Sequence, residues 1–182
     1  MNEKMTLLFV KHTRHVLALL TRAADAEGAA AAEELAGAAL LVRYVGDTTR
    51  TFTPQANFNV PADELDAKTV DFDPDTFENP RAFSLDEENV VRPHDLTASG
   101  LAAAPPSGST TQVKVSLTAN VSDDTPVWLN VTDGTSAQTR TGQIAAGTNS
   151  VNINVAQLSP GTYYVLALVA GFPPNSFTFN IP

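Results

Sequence analysis

The stretch from Leu158 to Val169 constrains the fold of this chain more than any other. It contains the dipeptide Pro160-Gly161, and an unbroken run of β-prone residues follows. Proline presets one backbone angle and glycine tolerates a positive one, so the dipeptide predicts a tight turn. Aromatic and β-branched side chains favour strands, so the run after the turn predicts a β-strand.

Alternation of apolar and polar residues extends this prediction over the last third of the chain. From Val113 to Val121 every second residue is apolar, and Lys114, Ser116 and Thr118 are among the residues between. A period of two indicates a strand with one buried face. The other segments predicted as strands are residues 127–132, 140–144, 149–155, 162–169 and 177–181. Short strands at this spacing predict a small antiparallel sandwich over residues 112–182.

The sequence Leu-Ser-Pro-Gly-Thr-Tyr-Tyr at 158–164 resembles the corner before the sixth strand of fibronectin type III and related immunoglobulin-like sandwiches. In that family a tyrosine hydroxyl bonds back to the chain a few residues upstream. The resemblance implies that Tyr164 is this tyrosine and that Leu158 is buried before the turn at Pro160 and Gly161. It covers residues 112–182 only and lacks a clear first strand, which the preceding residues would have to supply.

Residues 1–96 are predicted to form a separate β-rich domain, so the expected fold class is mainly β. Two apolar runs flank a polar tip at 11–15, and we favour a hairpin over 5–22, although a helix with one apolar face also fits. The alanine-rich residues 23–39 predict one short helix or a loop, because glycines limit the helix length. From Thr51 to Arg92 the chain is predicted to form short extended pieces separated by prolines.

Residues 97–111, rich in alanine, proline and serine, are predicted to be a linker.

Acidic residues are concentrated in one segment. Between Asp63 and Glu88 there are ten acids against Lys68 and Arg81, a local charge of −8 within a total of −9. Binding to a phosphate backbone depends on lysine and arginine displacing counterions, so nucleic acid is not an expected partner. A solvated acidic surface is the expected structure of this segment.

No catalytic group, cofactor motif or metal site is predicted. The chain has no cysteine, and its three histidines do not form a ligand set. The alternate acids at 71–75 resemble part of a calcium loop, but Thr76 stands where glycine is required and Ala82 where the closing glutamate is required. Phosphate loops, dinucleotide turns and nucleophile elbows are absent from the sequence. We therefore expect a protein that is not an enzyme.

The amino-terminal apolar runs predict neither a secretory signal nor a membrane span. Lys11, His12, Arg14 and His15 divide them into pieces of five residues. A signal peptide needs about seven or more continuous apolar residues, and a membrane helix needs about 20. We expect the protein to assemble in the cytoplasm and to be released, if at all, within a particle.

A contact surface is predicted from the phase of two neighbouring strands. If Tyr164, Leu166 and Leu168 point into the sandwich, the residues between them point out. If Val127, Leu129 and Val131 point in, Trp128 points out; the alternative is a buried core tryptophan in the opposite phase. Exposed apolar patches usually mark docking surfaces. The predicted partner contact consists of Trp128, Tyr163, Val165 and Val169.

These observations favour a structural or assembly protein of a phage particle or a phage-tail-like injection machine. Immunoglobulin-like domains are familiar additions to such particles, which are built without a signal peptide. The expected partners are other structural proteins and further copies of the chain. The alternative is a carbohydrate-binding or adhesive module in which Trp128 and Tyr163 stack on sugar rings. A third candidate, an enzyme using the acidic segment, has no motif in its favour.

Overall fold

A computed structural model describes residues 4–21, 28–45, 55–86, 88, 90–94 and 100–182. Antiparallel sheets dominate, and the mainly β fold class predicted from the sequence is confirmed. Short 3-10 turns occupy Ala62–Glu64 and Pro80–Ala82. The helices and strands are β1 (Lys4–Val10), β2 (Val16–Leu20), α1 (Ala29–Ala36), β3 (Ala39–Val45), β4 (Gln55–Pro61), β5 (Leu65–Asp71), α2 (Pro74–Glu78), β6 (Phe83–Leu85), β7 (Val91–Pro93), β8 (Ala102–Ala104), β9 (Gln112–Ser116), β10 (Thr125–Thr132), β11 (Ala137–Ile144), β12 (Ser150–Asn154), β13 (Gly161–Val169) and β14 (Asn175–Ile181).

The chain divides into two compact units. The first comprises Met1–Leu41 and Asn59–His94, and the second comprises Val42–Phe58 and Asp95–Pro182. Among the described residues, 42–45 and 55–58 group with the second unit rather than with residues 4–41. The division into domains at 1–96 and 112–182 stays a prediction.

The predicted linker at residues 97–111 contributes a strand of the second unit. Ala102–Ala104 form β8, which pairs with β9. Side chains as small as alanine bury little, but their backbone N–H and C=O groups are available to a neighbouring strand. Pro105 and Pro106 end the strand because proline has no N–H to donate. β8 forms one edge of the sheet β12-β9-β8. Residues 97–99 lie outside the described residues.

The hairpin favoured for residues 5–22 is confirmed. Strand β1 pairs antiparallel with β2, with a register shift between Leu8 and Phe9, and pairs with β5 on its other edge. Both faces of β1 are buried, which explains why its sequence is a continuous apolar run rather than an alternating one. The short helix is confirmed as α1, which lies between Gly28 and Gly37. One face of the sheet packs in a core of Met5, Leu7, Phe9, Val16 and Leu85.

The second unit contains two antiparallel sheets that share one core. Their strand orders are β11-β10-β13-β14 and β12-β9-β8. This arrangement is compatible with a β-sandwich. The predicted inward residues Val113, Val115, Val127 and Leu129 lie in the core. The remaining buried core members are Ala103, Leu117, Val121, Val131, Ile144, Ile153, Val155, Leu158, Tyr163, Val165, Ala167, Val169 and Ile181.

The corner before β13 is closed by Tyr163 and not, as the resemblance implied, by Tyr164. The Tyr163 hydroxyl accepts a hydrogen bond from the Ser159 N–H at 3.0 Å and donates to the Ser159 carbonyl at 3.2 Å. Tyr163 belongs to the core, together with Leu158 before the turn. Two consecutive tyrosines offer the motif in either phase, and a shift of one residue exchanges the two faces of a strand.

Replacing Tyr163 by phenylalanine should destabilise the second unit by about 1–2 kcal/mol, because the hydroxyl makes two backbone hydrogen bonds. Tyr164→Phe is the matched control: the neighbouring tyrosine is half-buried and does not make the corner bonds. Urea unfolding followed by circular dichroism measures both. Equal losses in the two variants would contradict the assignment of the corner to Tyr163.

Candidate functional site

The predicted contact surface begins with Trp128 on β10. Trp128 lies on the opposite side of its strand from Val127, Leu129 and Val131, which are in the core, as the alternation predicts. Its side chain is nevertheless 0% exposed. Its partner across the ladder is Leu168 of β13. Trp128 is therefore buried outside the sandwich core.

The predicted phase of β13 is wrong. Tyr163, Val165 and Val169, assigned to an outer surface with Trp128, lie in the sandwich core. Leu166 and Leu168, assigned to the core, lie on the Trp128 face and are 0% exposed. The four residues of the predicted partner contact therefore occupy two opposite faces of one sheet. All four residues are buried, and Tyr163, Val165 and Val169 do not share a face with Trp128.

Burial on both faces explains why the phase could not be read from the sequence. A strand with one wet face alternates, whereas a strand buried on both faces is a continuous apolar run. From Tyr163 to Val169 every residue is apolar or aromatic. The excess of apolar residues indicates a covered face, but the cover consists of residues of this chain, since Trp128, Leu166 and Leu168 are inaccessible in the single chain.

Several carboxylates of the acidic segment have structural roles. Lys4 donates to Asp71 at 2.6 Å. Asp73 caps α2 by accepting from the Thr76 N–H at 3.0 Å and from its hydroxyl at 2.5 Å. These hydrogen bonds lower the pKa of Asp73. The alternate acids that resemble a calcium loop thus include a helix cap and an ion pair. Within the part of the chain that the structure describes, histidines and acids form no group of three that could hold a metal ion.

Two phenylalanines in the acidic segment are exposed, although no sequence pattern predicted a site for them. Phe72 is 36% exposed and Phe77 is 42% exposed. Their ring centroids are 5.5 Å apart, with the rings tilted by 46°. The signal that could have identified them is the position of two aromatic residues, five apart, among acids and prolines.

Two of the three histidines form a buried pair. His15 is 0% exposed and His94 is 4% exposed, and their ring centroids are 4.6 Å apart. Burial, and secondarily the charge of His15, lowers the pKa of His94 to about 3. The imidazole of His94 is therefore neutral at physiological pH. This pair lies within the first unit, where His94 donates its backbone N–H to the Ala82 carbonyl at 2.8 Å.

The chain matches no known protein family model, and no curated protein is significantly similar to it. Among the described residues, none of the helices has the length and hydrophobicity needed to cross a bilayer.

Proposed function

We propose that the protein is a non-catalytic structural or assembly component of a phage particle or a phage-tail-like contractile injection machine. The observation that carries the proposal is the strand order of the second unit, which supports an immunoglobulin-like sandwich. Such domains are familiar additions to these particles.

The strand order can be compared with that of immunoglobulin-like domains. There the first, second and fifth strands share a sheet, and the third, sixth and seventh form the other. In this chain β8, β9 and β12 form one sheet, and β10, β13 and β14 lie in the second. The fourth strand, β11, pairs with the third. The corner tyrosine stands near the start of the sixth strand, β13, as in that family.

Two carboxylates of the acidic segment have partners within the chain. Asp73 caps a helix, and the pKa of Asp86 is lowered by the backbone N–H of Val90 and by Arg92. General acid–base catalysis requires the opposite arrangement, a group whose pKa is held near the working pH and within reach of a substrate. We therefore propose that the acidic segment is a surface rather than an active site.

The two aromatic residues predicted to stack on sugar rings in the carbohydrate-binding alternative are buried. A sugar platform requires aromatic faces open to solvent, but Trp128 is 0% exposed and Tyr163 is 8% exposed. No other tryptophan exists in the chain. The same burial removes the contact surface predicted for assembly, so the contacts of an assembly protein must involve surfaces other than the buried faces of β10 and β13.

The proposal predicts that the chain co-purifies with a large particle. A tagged copy expressed in the source cells should enter the fast-sedimenting fraction of a density gradient together with tube and sheath proteins. Deletion of the coding sequence should prevent assembly of particles or change their form, as seen by electron microscopy. A tagged chain that stays at the sedimentation rate of a small protein, with unchanged particles after deletion, would contradict the proposal.

A further inference from the structure

Helix α2 exposes its aromatic residue and buries a small polar one. Thr76 is 0% exposed, whereas the next residue, Phe77, is 42% exposed and contacts Phe72. Burial of an aromatic ring removes a large apolar area from water and is favourable. A fold that instead turns two contacting rings outward leaves a surface that a partner can cover.

The backbone that carries the two rings is held in place. Asp73 caps the helix through two hydrogen bonds from Thr76. Pro74 occupies the first turn, where its fixed backbone angle suits a helix. Lys4 pairs with Asp71 at 2.6 Å, immediately before Phe72. A surface that is already ordered loses little conformational entropy when a partner binds.

The charge around the rings defines the chemistry of the partner. Asp75 and Glu78 are exposed, whereas Asp71 is paired with Lys4. Residues 72–80 contain neither lysine nor arginine, and Arg81 follows them. Aromatic faces carry negative potential, so they attract cationic side chains, and arginine is the commonest partner of this kind. The rings and the carboxylates therefore both favour a ligand with cationic side chains.

We infer that Phe72 and Phe77, with the carboxylates of Asp75 and Glu78, form a docking surface for a basic segment of a partner protein. Arginine or lysine side chains of that segment stack on the two rings and pair with the two carboxylates. We call these four residues the acidic–aromatic patch. The inference rests on the proposed assembly function, because it names the surface and the partner chemistry that assembly would use.

A second copy of the chain is the other candidate occupant. The net charge of −9 disfavours it, since acidic surfaces repel one another. Nucleic acid is disfavoured for the same reason, because its phosphates repel the patch. The observations thus favour a basic protein segment over both.

A labelled peptide of alternating arginine and leucine provides the test, with fluorescence anisotropy as the readout. The full chain should bind it, and binding should weaken as salt is raised. The variant F72A/F77A should bind about tenfold more weakly, because both cation–π contacts are removed without a change in charge. D75N/E78Q should also weaken binding, and a peptide with glutamate in place of arginine should not bind.

The matched control is Leu41→Ala, which removes an apolar side chain that is 61% exposed and lies outside the patch. It should leave the peptide affinity unchanged, and unchanged melting temperatures of all variants would show that folding is intact. Absence of binding by the wild-type chain, equal affinity of F72A/F77A, or self-association through the patch would each overturn the inference. The peptide result is independent of particle capture, so failure of the proposed function is seen separately, in the sedimentation of the tagged chain.

Discussion

Replacing Trp128 by alanine is expected to destabilise the second unit by about 3–5 kcal/mol, enough to unfold a marginally stable domain. The indole is 0% exposed and faces Leu168 across the ladder, so its removal leaves a large cavity beside a packed strand. An exposed tryptophan at a docking surface would behave differently, because its removal changes binding while folding is retained. Calorimetry and far-UV circular dichroism measure the effect.

Phe77→Ala provides the control for loss of an aromatic side chain. Phe77 is 42% exposed, so its removal should change the free energy of unfolding by less than about 0.5 kcal/mol. If Trp128→Ala were as stable as Phe77→Ala, the Trp128 face of the sheet would have to be open to water, and the structural role assigned to it would be wrong.

Lowering the pH from 7 to 5 should destabilise the first unit through His94, by about 2 kcal/mol. Burial lowers the pKa of this imidazole to about 3, from the 6.5 that it has in the unfolded chain. Between these values the unfolded state binds a proton that the folded state does not, so stability falls as the pH falls. The full contribution is present above about pH 6.5. The described titratable group packed against His94 is His15, whose ring centroid lies 4.6 Å away.

Hydrogen exchange of the β1 amides at several pH values, corrected for the intrinsic exchange rate, measures this dependence. His94→Phe keeps a ring but removes one titrating group and leaves His15, so its stability should fall less steeply than that of the wild type over pH 5–7. His12→Gln, a substitution at an exposed histidine, should retain the wild-type slope. Parallel loss of stability in wild type and His94→Phe would show that His94 is not the group responsible.

The sequence predicted elements well where one face of a strand is wet. Val113, Val115 and Leu117 alternate with polar residues, and all three lie in the core. The turn at Pro160-Gly161 and the buried Leu158 also follow from local chemistry, since proline and glycine have definite backbone preferences. At these positions the residue pattern is compatible with one burial state and one backbone conformation only.

The prediction was wrong for β13, because both faces of this strand are buried. From Tyr163 to Val169 there is no polar residue to mark a face, so the phase depended on which of two adjacent tyrosines closes the corner. Tyr163 closes it, and every side chain of β13 takes the face opposite to the predicted one. Trp128, Leu166 and Leu168 on the other face are also inaccessible, so both faces of the strand carry the same kind of side chain.

The acidic–aromatic patch was missed for another reason. An acid-rich segment predicts a solvated surface, and this is what Asp75 and Glu78 form. Helix α2 has only five residues, of which Thr76 is buried and Phe77 is exposed. Tertiary packing determines which of the two faces inward. Helical periodicity cannot be read reliably from so short an element.

Fluorescence of Trp128 tests the central claim, that strands β10 and β13 of the second unit are buried on both faces by the chain itself. The chain has one tryptophan, so its emission reports this site alone. In dilute, monomeric protein the emission should be shifted to the blue relative to the urea-unfolded chain, and acrylamide should quench it weakly. Emission like that of the unfolded chain, with strong quenching by acrylamide, would contradict the account and restore an open face that needs a partner.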